Sequence, residues 1–276
     1  MNFVVEEWPD RGEHAPWLLH NDPHHAARFV FYDRAKKYPL MVILHGGPVD
    51  VVRANISRDL PYPAEMFLNR GALVLRPNYR GSTGYGRKFR AGLERKLGIG
   101  PLDDIAAGID LLASRGMIDP SRVGAMGWSH GGYLAAFFGV ASDRFKADSA
   151  GASVSDWRLF YTLGAGGSVK PDQTSTPWND PEYFRLTSPL TYVGRAKTPM
   201  LLQHGASDTT APLASAKELY VALRDHAVPV KMIIYNNVGH LPGRPSIART
   251  VATHNLEWFD HWILNAPDPG RGQGPD

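Results

Sequence analysis

The sequence predicts an α/β fold, with a mostly parallel central sheet and helices on both of its faces. Short apolar runs, such as 41–44 and 200–203, alternate along the chain with longer segments of helical periodicity. This alternation is typical of parallel strands that are joined by crossover helices. The apolar runs are continuous and lack regular polar positions, as expected for strands that are buried on both faces.

The early elements are each ended by glycine or proline. Glycine closes a helix in the left-handed conformation, and proline cannot continue a strand inside a sheet. Gly71 and Gly116 end two predicted helices, and Pro48 and Pro77 follow two predicted strands. In order, these elements are a strand over 41–44, a helix over 61–70, a strand over 72–75 and a helix over 102–115.

The later elements are marked by periodicity and side-chain size. Leu256, Phe259 and Ile263 recur at the spacing of one helix face. In order, we predict a strand over 123–126, an Ala-rich helix over 133–140, a strand of small residues over 147–154, a strand over 200–203, a helix over 214–226, a strand over 231–235 and a helix over 247–264.

Three regions fall outside this alternation. The first 38 residues contain at most two or three edge strands, one of them over 28–32. Residues 156–195 are rich in glycine, proline, threonine and aromatic residues, which predicts an insertion over the sheet. We expect a single domain over 1–266, followed by a flexible tail over 267–276, because that tail is rich in proline and glycine.

Composition excludes several classes of protein. The 276 residues contain no cysteine, which excludes disulfides, thiolate catalysis and cysteine-based metal sites and favours a cytoplasmic location. No apolar run approaches the ~20 residues of a membrane helix, and no signal peptide is recognisable. A net charge of +3 is too small to indicate a nucleic-acid partner. Neither histidine spacing nor glycine spacing predicts a metal or any other cofactor.

The strongest chemical signal is the stretch Gly127-Trp128-Ser129-His130-Gly131. It lies between a predicted strand and a predicted helix, which is the setting of the nucleophile elbow in α/β-hydrolases. On such a turn the serine hydroxyl projects clear of the sheet, next to the helix N-terminus. The motif therefore predicts that the domain over 1–266 has the α/β-hydrolase fold and that Ser129 is its nucleophile.

A serine needs a base, and in this fold the partners follow in the order serine, acid, histidine. Asp208 follows the predicted strand over 200–203, whereas Asp225 falls inside a helix and is the weaker candidate. His240 lies in a loop after a strand. We therefore predict a Ser129–His240–Asp208 triad. The other histidines in the right order lie at the end of a helix or within one: His226, His254 and His261.

An oxyanion hole requires two N–H donors. We predict the backbone N–H of His130 as one donor, because it directly follows the nucleophile. The second is expected from the turn after the first strand, with Gly47 preferred and Gly46 the alternative, because glycine lets the backbone approach a substrate closely.

These motifs together resemble the catalytic domain of the prolyl oligopeptidase family, in particular its acylaminoacyl-peptidase branch. The segments that carry the resemblance include NYRGSTGYG at 78–86 and lie within about residues 33–264; they are 37–48, 76–86, 127–132, 188–190, 204–208 and 239–240. The resemblance implies the same triad and an acyl-enzyme mechanism. Family members usually carry an N-terminal β-propeller, for which this chain has no room, so a more open site is expected.

The predicted substrates are small acyl esters, amides or short peptides, with peptidase, carboxylesterase and acyltransferase activity as alternatives. The aromatic residues of 156–195 either pack in the core or line the substrate pocket near the active site. Trp157, Tyr161 and Trp178 are the candidates for substrate binding. A second copy of the chain would cover apolar surface that is exposed without a propeller, which makes a homo-oligomer a further hypothesis.

Overall fold

The computed structural model describes residues 35–52, 61–165 and 175–264. The predicted strand over 28–32 and the tail over 267–276 lie outside these residues. The strands are β1 (Tyr38–Leu44), β2 (Leu73–Leu75), β3 (Ile118–Trp128), β4 (Ala147–Gly151), β5 (Met200–Gly205) and β6 (Val230–Tyr235). The helices are α1 (Ala64–Asn69), α2 (Gly86–Ala91), α3 (Ile99–Ser114), α4 (His130–Ala141), α5 (Trp157–Leu163), α6 (Pro181–Thr187), α7 (Leu213–Asp225) and α8 (Pro245–Phe259), with a 3₁₀ helix at Pro189–Arg195 and a π-helical turn at Asp260–Leu264.

The six strands form one sheet in the order β2-β1-β3-β4-β5-β6, and every neighbouring pair is parallel. The predicted α/β fold is therefore confirmed, and each predicted strand among the described residues is present. In a parallel sheet, the carboxyl ends of all strands lie at the same edge, where α/β proteins hold their ligands. Loops that follow different strands are thereby brought together.

Both faces of the sheet are covered. Leu40, Val42 and Leu44 of β1 lie in one buried cluster with residues of α3, α4 and α7. The alternate residues Met41 and Ile43 lie in a second cluster with residues of α1 and α8. Adjacent strand residues point to opposite faces, so this division confirms helices on both sides. No helix among the described residues is long and apolar enough to cross a membrane.

The 156–195 region contains α5, α6 and the 3₁₀ helix. Its aromatic side chains mainly extend the larger cluster, where Phe160 is 5% exposed and Phe184 is fully buried. The Trp157 ring meets the Tyr133 ring of α4 edge-on, at 5.0 Å between centroids. Core packing, one of the two interpretations of these aromatics, therefore describes most of them.

A buried acid lies in the middle of this core. The Asp148 side chain of β4 is fully buried and packs against Gly139 of α4. The Ala125 N–H donates to its Oδ1 at 3.1 Å, while Oδ2 has no hydrogen-bond partner. Burial raises the pKa of Asp148 well above its usual value, and the single backbone hydrogen bond opposes this only in part. The folded protein therefore holds Asp148 as the neutral acid.

Asp148→Asn is expected to stabilise the protein, and increasingly so as the pH rises. The unfolded chain releases the Asp148 proton above pH ~4, whereas the folded chain keeps it, so wild-type stability falls with pH. Asparagine has the same shape and no such dependence. The difference in unfolding free energy should grow by up to about 1.4 kcal/mol per pH unit. Urea denaturation between pH 5 and 8 measures it, and a difference that does not change with pH would contradict a neutral Asp148.

Candidate active site

The predicted site residues meet at the carboxyl edge of the sheet. Gly47 follows β1, Ser129 follows β3, Asp208 follows β5 and His240 follows β6. These positions are far apart in the sequence, and the parallel arrangement of the strands brings them together. The competing acid Asp225 ends α7, where it is exposed to solvent.

Ser129 occupies a strained turn between β3 and α4, with φ 60° and ψ −122°. A residue other than glycine rarely adopts positive φ, and such strain is typical of functional turns. The flanking glycines make the turn fit. A Cβ on Gly127 would lie 2.3 Å from the carbonyl carbon of Gly131, and one on Gly131 would lie 2.1 Å from the Leu44 oxygen. Only glycine allows the strand and helix to approach this closely.

Ser129, His240 and Asp208 form a continuous chain of hydrogen bonds. His240 Nε2 lies 2.8 Å from Ser129 Oγ, and His240 Nδ1 lies 2.9 Å from Asp208 Oδ2. An ionised carboxylate only accepts hydrogen bonds, so Nδ1 carries the proton and Nε2 is free to accept the serine proton. Trp128 Nε1 donates to the His240 backbone oxygen at 2.6 Å, which fixes the histidine loop against the elbow. The arrangement is able to deprotonate Ser129.

The Asp208 carboxylate is held from both of its oxygens. Its side chain is fully buried, and Oδ1 accepts the backbone N–H groups of Thr210 and Ala211, both at 2.9 Å. Burial alone would raise the pKa of Asp208. The N–H groups of His204 and His240 beside the carboxylate outweigh burial and hold the pKa of Asp208 below the usual carboxyl range. Asp208 is therefore ionised at neutral pH and is fixed in orientation.

His204 also contributes to this site, although the sequence had not predicted a role for it. Its side chain is fully buried at the end of β5. Nε2 donates to the Ala211 oxygen at 2.9 Å and lies 3.4 Å from Asp208 Oδ2. The signal was present in the 204–208 segment, where a histidine precedes the acid by four residues.

We expect His204 to act as a positioning residue for Asp208. His204→Leu removes the N–H near Oδ2 and should lower kcat about tenfold with KM unchanged. His204→Gln offers an N–H near the same place and should recover most of kcat. Steady-state kinetics on a small acyl ester, with melting temperatures for both variants, tests this. Equal kcat values for the two variants would indicate a purely structural role.

The turn after β1 requires its two glycines for different reasons. A Cβ on Gly46 would lie 3.2 Å from the Trp128 oxygen and 3.7 Å from Ser129 Cβ, so Gly46 is placed against the elbow. Gly47 has φ +42°, which favours glycine, and it is exposed. His130 is the first residue of α4, so its N–H has no partner within the helix. The oxyanion roles of Gly47 and His130 stay predictions.

A hydrogen-bonded brace holds the 47–52 loop. Asn78 Oδ1 accepts the Val52 N–H at 2.7 Å, and Asn78 Nδ2 donates to the Val52 oxygen at 2.8 Å. The Thr83 N–H donates to the Asp50 oxygen at 3.2 Å. His45 Nε2 lies 2.8 Å from Ser82 Oγ at the base of the loop. The NYRGSTGYG segment thus supports the backbone on which Gly47 lies.

The His130 side chain is not a second base. It is 7% exposed. Burial, followed by repulsion from His45, lowers the pKa of His130 to about 3. The imidazole is therefore neutral at physiological pH.

Ser129 and His240 open into a cavity of about 800 Å³. Its wall includes Gly46, Gly47 and the run from His240 to Gly243. No cluster of three or more His, Asp or Glu side chains in the described part of the chain could hold a metal ion.

The three aromatic candidates for substrate binding do not line this cavity. Trp157 is 5% exposed and lies in the larger core cluster, where it packs against α4. Tyr161 is partly buried against the same cluster. Trp178 is 76% exposed. The cavity is instead built from residues that flank the strand ends. Among them, Trp128 both packs in a buried cluster and lines the cavity.

Comparison with known proteins gives consistent matches. A model of the prolyl oligopeptidase family matches residues 60–266. The acylamino-acid-releasing enzyme of Arabidopsis thaliana is 30% identical over 243 residues, which cover 83% of this chain and 31% of that protein. This chain thus spans about a third of the length of that relative.

Two solved structures also align over most of the chain. The acylaminoacyl peptidase of Pyrococcus horikoshii matches with a TM-score of 0.78 at 24% identity, over 95% of this chain and 41% of that one. A puromycin-hydrolyzing peptidase of Mycobacterium tuberculosis matches with a TM-score of 0.77 at 25% identity, over 90% of this chain and 37% of that one. Both proteins share the fold described above.

Proposed function

Because this chain belongs to the prolyl oligopeptidase family, we propose that it is a serine hydrolase that cleaves peptide or amide bonds through an acyl-enzyme. The observation that carries the proposal is the hydrogen-bond chain from Ser129 through His240 to Asp208, with links of 2.8 and 2.9 Å. This geometry meets the requirements for an activated serine, which are a base within hydrogen-bond reach and a third group that orients the base.

The proposed reaction begins when Ser129 Oγ attacks the substrate carbonyl carbon and His240 Nε2 takes the serine proton. Negative charge then develops on the carbonyl oxygen, where the N–H groups of His130 and Gly47 stabilise it. His240 returns the proton to the leaving nitrogen, the C–N bond breaks, and the acyl group stays on Ser129. Water, deprotonated by His240, then releases the acyl group as a carboxylic acid and restores the serine.

Amide substrates with a blocked amino end are favoured by the names of two of the relatives. One releases acylamino acids and one is an acylaminoacyl peptidase. The puromycin-hydrolyzing peptidase adds only that an amide-cleaving relative is among the matches. We extend this substrate class to the present chain as part of the proposal. A cytoplasmic location and self-association stay predictions from the sequence.

A fluorophosphonate probe tests the nucleophile, because it reacts with activated serines. Peptide mapping should find the label on Ser129, and labelling of another serine would contradict the site. Turnover of acetyl-alanine p-nitroanilide is then compared with that of p-nitrophenyl acetate. Cleavage of both supports an amidase or peptidase, and cleavage of the ester alone would replace it with a carboxylesterase.

A further inference from the structure

An arginine shares the cavity with the proposed catalytic residues. Arg76 directly follows β2, so it lies at the same sheet edge as Ser129 and His240. It is partly buried and lines the same cavity. Pro77 follows it and restricts its backbone to an extended conformation. Arg76 is therefore held at the wall of the site by the fold.

Arg76 contributes a positive charge to a cavity whose lining is about equally polar and apolar. Among the described lining residues, Asp50 is the only carboxylate, and it is exposed to solvent. A partly buried charge is screened less than one in water, and guanidinium groups bind carboxylates through two parallel hydrogen bonds. Several of the other lining side chains are apolar or aromatic: Ile43, Val52, Tyr62, Trp128, Leu241 and Pro242.

The charge of Arg76 also affects the pKa of a residue at the carboxyl edge of the sheet. Burial is the main cause that lowers the pKa of His45, and Arg76 lowers it further, whereas Asp50 raises it. His45 forms the start of the turn that carries Gly46 and Gly47. The two charged side chains therefore act on the site with opposite signs.

The position of His240 identifies which half of a substrate this cavity receives. After attack, His240 Nε2 must hand its proton to the leaving nitrogen, so the leaving group lies against His240. The cavity wall continues from His240 through Leu241 and Pro242 to Gly243. A group that occupies this cavity is therefore on the leaving side of the scissile bond.

We infer that Arg76 binds a carboxylate on the leaving group, which makes N-acylated dipeptides with a free carboxyl end a preferred substrate class. The inference rests on the proposed function. Water cleaves the amide bond, the acylated residue leaves as a carboxylic acid, and the second residue leaves as a free amino acid.

The test compares acetyl-alanyl-alanine with acetyl-alanyl-alanine amide, which differ only in the terminal charge. The wild-type enzyme should prefer the free acid about tenfold in kcat/KM. Arg76→Gln should lower kcat/KM for the acid about 10- to 100-fold and leave the amide within about threefold. Asp50→Asn should act in the opposite direction and raise turnover of the acid. Arg87→Gln, on the exposed side of α2, is the matched control for loss of a positive charge.

Equal wild-type turnover of acid and amide would overturn the inference, and so would an Arg76→Gln loss of the same size on both substrates. Arg76→Lys, which keeps the charge, should retain part of the preference for the acid. Succinyl-alanine p-nitroanilide carries its carboxylate on the acyl side. If Arg76→Gln also lowers kcat/KM for this substrate, the leaving-group assignment is wrong. Absence of wild-type turnover on any of these substrates, together with absence of fluorophosphonate labelling, would instead contradict the proposed function.

Discussion

Ser129→Ala is expected to lower kcat/KM for amide hydrolysis by about 10⁵–10⁶-fold, which is the size of loss seen when a triad serine is removed. The variant deletes one hydroxyl oxygen. It therefore removes the atom that is proposed to form the acyl-enzyme and leaves the contacts of Gly127 and Gly131 around the turn unchanged. Hydrolysis of acetyl-alanine p-nitroanilide measures the loss, and circular dichroism checks that the fold is intact.

Ser129→Gly separates loss of the nucleophile from relief of backbone strain. Both variants lack the hydroxyl, and both should be inactive. At φ 60° the alanine keeps the strain of the serine, whereas glycine adopts this conformation freely. The glycine variant should therefore be more stable than the alanine variant by about 1 kcal/mol in urea denaturation. Residual activity above a few per cent in either variant would contradict the assignment of the nucleophile.

Asp208→Asn is expected to lower kcat by about 10⁴-fold, because it reverses the protonation of His240. Oδ1 of Asp208 accepts two backbone N–H groups, so the amide oxygen of asparagine must take that place. The amide NH₂ then faces His240 and donates to Nδ1, which forces the proton onto Nε2. A protonated Nε2 cannot accept the Ser129 proton.

Asp225→Asn is the matched control, since it removes an equivalent charge at the exposed end of α7. It should leave kcat unchanged within about twofold, as is usual for a solvent-exposed charge. A pH–rate profile of the Asp208 variant provides a second readout, since activity that persists should rise towards high pH, where hydroxide replaces the missing base. Near-normal kcat in Asp208→Asn would exclude Asp208 as the acid of the triad.

Much of the fold was predictable because a buried parallel sheet leaves a direct mark on the sequence. The strands β1 and β5 are buried on both faces, so their apolar runs over 41–44 and 200–203 were recognisable without any knowledge of their neighbours. The short helix α2 was missed because it has no apolar face, and no residue in it is buried. The nucleophile elbow was predictable because the close approach of strand and helix requires glycine at both flanking positions, Gly127 and Gly131.

The surroundings of the site were harder to predict, because they depend on contacts between distant segments. The partners of His204 are set by the path of the loop over 206–211. The cavity combines residues near 43–52, 61–62, 76 and 240–243. The aromatic content of 156–195 left both a core and a pocket wall open, and only packing against α4 separates the two for Trp157.

The proposed catalytic histidine depends on the least protected of the described strands. His240 follows β6, an outer strand whose residues are mostly only half covered. Strands at such positions fray at lower free energy than central ones such as β3. Heating should therefore detach His240 from Ser129 while the core around β1 and β3 is still folded, so that inactivation precedes global melting.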